Sequence, residues 1–214
     1  MSDAPNPIDK VREKLLQSAF RMPSVQTMVS RKSSITNAFV NAIIPVVPPT
    51  AHEIEEALRI LAMDPENLRC AYCGDRSTEW DHLRPLVKNR RPTGFISEIG
   101  NLVPSCGKCN QSKRNEDWET WMRSPTATLS PFCRGVPDLE HRIQRLRAYQ
   151  RWRPTEPVNF EQIVGTAPWR AYWQRLQAVD EMLAQCQLAA TDLAKTIAAA
   201  RHASTRTDTT TTPQ

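Results

Sequence analysis

"CAYCGDRSTEWDHLRPL", Cys70 to Leu86, decides how this chain is read, because it sets two chemistries side by side. A Cys-x-x-Cys pair is followed closely by an Asp-His dipeptide, Asp81-His82. A second pair stands in "NLVPSCGKCNQSKRNEDW", Asn101 to Trp118, giving Cys70-x2-Cys73-x32-Cys106-x2-Cys109 overall. A two-residue spacer lets both thiolates of a tight turn point at one ion. Two such turns complete a tetrahedral four-cysteine zinc site with no open position, so that zinc is structural. Gly74 after the first pair and Gly107 inside the second suit tight knuckles. A redox motif needs only one pair. Cys133 and Cys186 each stand alone and read as ordinary buried or semi-exposed thiols.

Working outward, the 214-residue chain carries a formal charge of +5, which favours a polyanionic partner without requiring one. The N-terminal "MSDAPNPIDKVREKLL" has no apolar core of a secretory signal. No run approaches the roughly 20 apolar residues that span a bilayer. A cytoplasmic protein with no membrane partner is expected, a setting in which clustered cysteines bind metal more often than they pair.

The flanks read as helical. In residues 1–69, "PIDKVREKLLQSAF" carries an apolar stripe of Ile8, Val11, Leu15, Leu16 and Phe20. "TAHEIEEALRILAMD" opens with Thr50 and Glu53 in capping-box spacing. The prolines of Ala38–Pro49 argue against a regular element between them. Residues 70–123 hold the cysteine pairs and end in one helix from Asn110, with Trp118, Trp121 and Met122 on its packing side. Residues 124–202 return to helix, through "PDLEHRIQRLRAYQRW" and a long helix from about Ala167 to Arg201. The threonine-rich residues 203–214 read as a disordered tail. The fold class expected is α+β, mostly helical, with a small finger embedded between N- and C-terminal helical regions.

The order Cys-x-x-Cys, Asp-His-Leu-x-Pro and Asn-Leu-Val-Pro-x-Cys-x-x-Cys-Asn-x-x-Lys resembles the HNH endonucleases, over about residues 70–122. The resemblance implies a ββα-metal finger and a metal-dependent hydrolase of DNA phosphodiester bonds. It implies that His82 is the general base that activates water, and that Asp81 is a ligand of a catalytic divalent cation. Asn101, the middle residue of the family name, braces the loop that orients His82. Asn110 stands where many members have the last His, an HNN variant whose amide oxygen favours magnesium or manganese over softer ions. The paired glycines that often follow the Asp-His element are replaced here by "LVKNRRPTGFISEIG", a longer and more basic connection. The elementary chemistry agrees, since a neutral imidazole of ordinary pKa about 6.5 accepts a proton at cellular pH.

Between His82 and Asn115 stand seven basic residues, Arg84, Lys88, Arg90, Arg91, Lys108, Lys113 and Arg114, against the single acid Glu98. Gathered near a phosphodiesterase motif, they are expected to contact backbone phosphates. Lys113, one helical turn past Asn110, is the leading phosphate contact, and "KNRRPTG" is suited to a groove. A second basic set, Arg142, Arg145, Arg147, Arg151 and Arg153, follows in the later helix, and Trp169 and Trp173 read as core or interface rather than as base-stacking groups. Restriction or defence is the setting that size and architecture suggest. The competing reading is a non-catalytic zinc module that binds nucleic acid, which would not need Asp81, His82, Asn101 and Asn110 together. An RNA substrate stays open, as does a homodimer through the later helices.

Overall fold

The computed structural model describes residues 7–20 and 22–207. They fall into two compact units, Lys32–Met182 and a second made of Met1–Arg31 with Leu183–Gln214. The larger unit holds the finger. Strand β1, Glu79–His82, pairs antiparallel with a strand at Leu102–Ser105, with Asp81 opposite Val103 and His82 opposite Leu102. Two shorter strands intervene, β2 (Val87–Lys88) and β3 (Arg91–Pro92), so the Leu102–Ser105 strand is β4. Their two-residue turn, Asn89-Arg90, has positive φ at both residues (51° and 62°), the backbone that matches strand twist in a tight hairpin. After β4 comes a short helix at Gly107–Lys113, completing a ββα finger.

Helices enclose the finger. On the N-terminal side lie Lys32–Asn41 and Ala51–Leu61, the second opened by the expected capping box of Thr50 and Glu53. Numbered along the chain, the helices are α1 (Pro7–Ala19), α2 (Lys32–Asn41), α3 (Ala51–Leu61), α4 (Gly107–Lys113), α5 (Trp118–Met122), α6 (Leu139–Trp152), α7 (Phe160–Val164) and α8 (Thr166–Thr207). The α+β, mainly helical class with a small sheet at the finger is what the structure has. One core joins α3, the finger, α5 and α6 through Leu61, Tyr72, Leu83, Val103, Trp121 and Leu146. A second packs α2 against the start of α8 through Val40, Ile44, Leu86, Trp173 and Leu176, so Trp173 is core, with Trp169 packed against it.

Three local expectations change. The single helix from Asn110 is two, because Arg114 adopts φ 52°, ψ −123° and ends α4, while Asp117 caps α5 by accepting from the Thr120 amide. The segment Ala38–Pro49 is helical as far as Asn41. After a turn at residues 42–44, Val47 N–H donates to the Ser97 carbonyl (2.9 Å) while Ser97 N–H donates to that of Pro45 (3.1 Å). Helix α8 continues through Thr207, into the stretch expected as a disordered tail, and the rest of that tail lies outside the described residues.

In the smaller unit, Met28 N–H donates to Gln187 Oε1 at 2.7 Å. The stripe of α1 is largely exposed, Leu15 at 64% and Leu16 at 62%. No described helix is long and apolar enough to cross a membrane.

Candidate functional site

The four knuckle cysteines converge. Their Sγ atoms all lie within 4.8 Å of one another, and Cys73 and Cys106 are 3.7 Å apart. Thiolates at about 2.3 Å from a tetrahedral zinc stand roughly 3.8 Å from each other, so the cluster has the dimensions of that site. Cys70, Cys106 and Cys109 are buried and none of the four is in a disulfide. Their protons are frustrated: hydrogen bonds from Cys109 and Cys73 lower Cys70 to about 3, while Cys70 and Cys73 push Cys109 up. A dication removes that conflict by taking all four as thiolates, so these residues fit zinc.

Arginines surround the cluster. Arg134 donates from Nη1 to Cys109 Sγ (3.4 Å) and from Nη2 to Asp75 (2.7 Å), and Arg142 donates to the Cys70 carbonyl (3.3 Å). Gly74 has φ +81°, which favours glycine, and a Cβ there would fall 2.5 Å from the Arg142 guanidinium and displace it. Arg134 lies outside both motifs, and nothing in its neighbourhood of sequence marks it.

Asp81 and His82 diverge, as successive strand residues must. Asp81 is buried. Tyr72 Oη donates to its Oδ2 (2.5 Å), and Lys113 Nζ, itself wholly buried, pairs with it at 3.1 Å. Burial raises the Asp81 carboxyl from its ordinary value against the pull of Lys113. Lys113 Nζ also donates to the carbonyls of His82 (2.9 Å) and Arg114 (3.4 Å). Asn110 donates its amide to Glu79 Oε2 at 2.7 Å. Asp81 is therefore held by Lys113 and Tyr72, while Asn110 meets Glu79 through its Nδ2, a bond that does not use the Oδ1 expected to face a cation. Lys113 is not on the surface at all, which corrects its reading as a phosphate contact.

His82 is half-buried, with Nε2 2.9 Å from Ser97 Oγ. Burial, then the charge of Lys113, lowers it from its ordinary value to about 4, so it is neutral at cellular pH and free to take a proton. Trp80 shares its strand face and, with Leu102, Pro104 and Ser97, lines an apolar groove of about 560 Å³. Ser97 is the site residue the sequence did not mark: a serine in a loop carries no spacing signal, and only its bonds to the Pro45–Val47 strap place it.

Asn101 is wholly buried and holds the chain just past His82. Its Oδ1 accepts from the Arg84 amide (2.7 Å), its Nδ2 donates to the carbonyls of Arg84 and Ile96 (both 3.1 Å), and its own carbonyl accepts from Leu83 (2.8 Å).

The basic residues divide. Lys88, Lys108 and Arg114 are exposed. Arg84 reaches the solvent edge, held by Asp117 at 3.2 Å. Arg90 is engaged by Thr36 and Asp180, and Arg91 lies over the Trp173 ring, 4.6 Å from its centre. These two tie the hairpin to α2 and α8, a correction to the groove-reading role expected of "KNRRPTG".

With this geometry in hand, the comparison with known families is direct: a family model for HNH endonuclease matches residues 70–116. These residues are an HNH endonuclease domain. Over 70 residues the chain is 36% identical to the CRISPR-associated endonuclease Cas9 of Corynebacterium diphtheriae, a match covering 31% of this chain and 6% of that protein. No solved structure matches significantly. The HNH domain supports a nuclease-type function, a nucleic-acid substrate and a metal-binding finger.

Proposed function

We propose that this chain is an HNH endonuclease that hydrolyses DNA phosphodiester bonds with His82 as general base. The observation that carries the reading is His82 itself: a neutral imidazole, fixed by Ser97 at the end of β1, in a finger organised by four clustered cysteines. In the proposed reaction, Nε2 or Nδ1 accepts a proton from water as its oxygen attacks phosphorus, and the departing 3′ oxygen takes a proton from solvent. Zinc, held by Cys70, Cys73, Cys106 and Cys109, supplies rigidity and no chemistry. Asn101 fixes the turn after His82, and exposed Lys88, Lys108 and Arg114, with half-buried Arg84, meet backbone phosphates. Asp81 and the Oδ1 of Asn110 are the groups that would hold magnesium or manganese, which would supply charge stabilisation to the phosphorane and the leaving oxygen if Asp81 exchanged Lys113 for the ion. Restriction or defence belongs to the same proposal.

One observation favours the second reading, a non-catalytic zinc module that binds nucleic acid: Lys113 and Tyr72 close off Asp81. A supercoiled-plasmid assay separates the two. Wild type and His82→Ala are treated with a mild chelator, then supplied with magnesium or manganese. Metal-dependent nicking or linearisation by wild type alone supports the endonuclease, and discrete fragments add sequence recognition. No cleavage by either, with one zinc per chain and intact folding, selects the binding module.

A further inference from the structure

We infer that an arginine-lined cleft at the C-terminal end of α6 is a phosphate subsite that grips the nucleic-acid backbone beside the HNH domain. The strand's identity rests on the proposed nuclease reading. The cleft itself stands on geometry. It has a volume of about 490 Å³, and its wall includes Arg84, Arg147, Arg151 and Arg153, the neutral donors Gln150 and Thr155, and a single acid, Glu156.

Three of the four arginines are backed by carboxylates that are not part of the wall. Asp117 holds Arg84 at 3.2 Å, Glu119 takes Arg147 through two bonds, and Glu53 meets Arg153 at 3.1 Å. Each acid uses one or two of the five N–H donors of its guanidinium, orienting the fork while leaving donors for a phosphate. Exposed ion pairs of this kind are weak enough to share their cation with an incoming anion. Arg151 has no carboxylate partner among the described residues. Against them stands the C-terminal end of α6, worth about half a negative charge, which four guanidinium groups outweigh.

The cleft is also rigidly joined to the loop that positions His82. A Cβ at Gly100 would lie 2.6 Å from the Arg153 carbonyl oxygen, so the bare glycine lets the end of α6 rest on the residue before Asn101. Asn101 in turn holds the Arg84 backbone by both its N–H and its carbonyl. A phosphate gripped here is fixed with respect to β1. Arg84 comes from residues 70–116, whereas Arg147, Arg151 and Arg153 come from the chain beyond them, so α6 and its C-terminal end extend the contact past the HNH domain.

The test is binding, read independently of cleavage. The full chain carrying His82→Ala is titrated against a fluorescein-labelled DNA duplex by anisotropy over a series of potassium chloride concentrations. Arg151→Glu on that background, an exposed and unpaired position that leaves folding alone, is expected to weaken binding about ten-fold. It should also lower the slope of log affinity against log salt by about one. Arg170→Ala, exposed on α8 away from the cleft, should change neither. Unaltered affinity and slope for Arg151→Glu overturn the subsite, as does a parent that binds no duplex. Thymidine monophosphate that displaces the duplex where equal inorganic phosphate does not marks a mononucleotide pocket and overturns the strand assignment. Arg151-dependent binding with no cleavage by wild type, whatever the metal, leaves the subsite standing and removes the nuclease reading.

Discussion

His82 is the residue on which the chemistry turns, and its environment makes its protonation measurable. Its folded pKa of about 4 lies below the ordinary 6.5, burial acting first and Lys113 second. The sign follows from linkage: the unfolded chain takes the proton first, so this group's stabilisation is full above pH 6.5 and drains away as pH falls towards 4. Cleavage that needs a neutral imidazole should therefore hold its rate from pH 8 down to about 5, with melting followed in parallel. An acid limb near 6.5 would mean that the ring is solvated. Ser97→Ala should slow cleavage about ten-fold by freeing the ring, with folding unchanged and Ser97→Thr restoring most of the rate. Equal rates for all three proteins would reduce Ser97 to a loop residue. Lys113→Met leaves Asp81 buried without its cation and should cost roughly 3–5 kcal/mol, a loss the added Asp81→Asn partly returns. Additive losses in calorimetry would show that the pair is not coupled. Asp81-His82 and Asn101 were legible because their order is a motif. The inward turn of Lys113 was not, since a lysine after Asn-x-x looks the same on a surface as in a core.

At the scale of elements, the finger depends on its knuckles more than on its strands. Strands β1 and β4 have four residues each, too little pairing to stand alone. The cysteine cluster is what ties Tyr72, Val103 and α4 into one core. Removing the metal with a strong chelator, or Cys106→Ser, should release zinc and abolish the cooperative melt of the finger. One zinc retained per chain in Cys106→Ser would break the four-cysteine assignment. Helices α3, α6 and α8 were readable because their apolar residues recur at helical spacing and α3 opens with a capping box. Helix α2 was not: "KSSITNAFVN" is full of residues that hydrogen-bond locally or branch at Cβ, and burial of Thr36 and Val40 carries it instead. The break between α4 and α5 escaped for a related reason. Arg114 takes a left-handed φ that its side chain does not advertise, and the Asp117 cap is recognisable only once the helix start is known.

Across the larger unit as a whole, the HNH domain is built into its flanks by groups that composition alone assigned to DNA. Arg90 sits in the β2–β3 turn at φ 62°, a conformation arginine rarely takes, and its guanidinium joins Thr36 on α2 to Asp180 on α8. Arg91 adds a cation–π contact with Trp173, so a hairpin inside the finger is fastened to helices on both sides of it in sequence. Charge patterning could not separate these two arginines from exposed Lys88, because a run of basic residues reads alike whether it faces phosphate or carboxylate. The two roles part in experiment. Arg90→Ala strands Asp180, whose side chain is only 13% exposed, and should lower unfolding stability by roughly 1–3 kcal/mol while leaving duplex affinity and its salt dependence unchanged. Lys88→Ala should do the reverse: stability stays, binding weakens on every sequence alike, and the salt slope falls by about one. If Arg90→Ala instead flattened the salt slope with no loss of stability, the hairpin would be a DNA contact after all, and its bonds to α2 and α8 would be incidental.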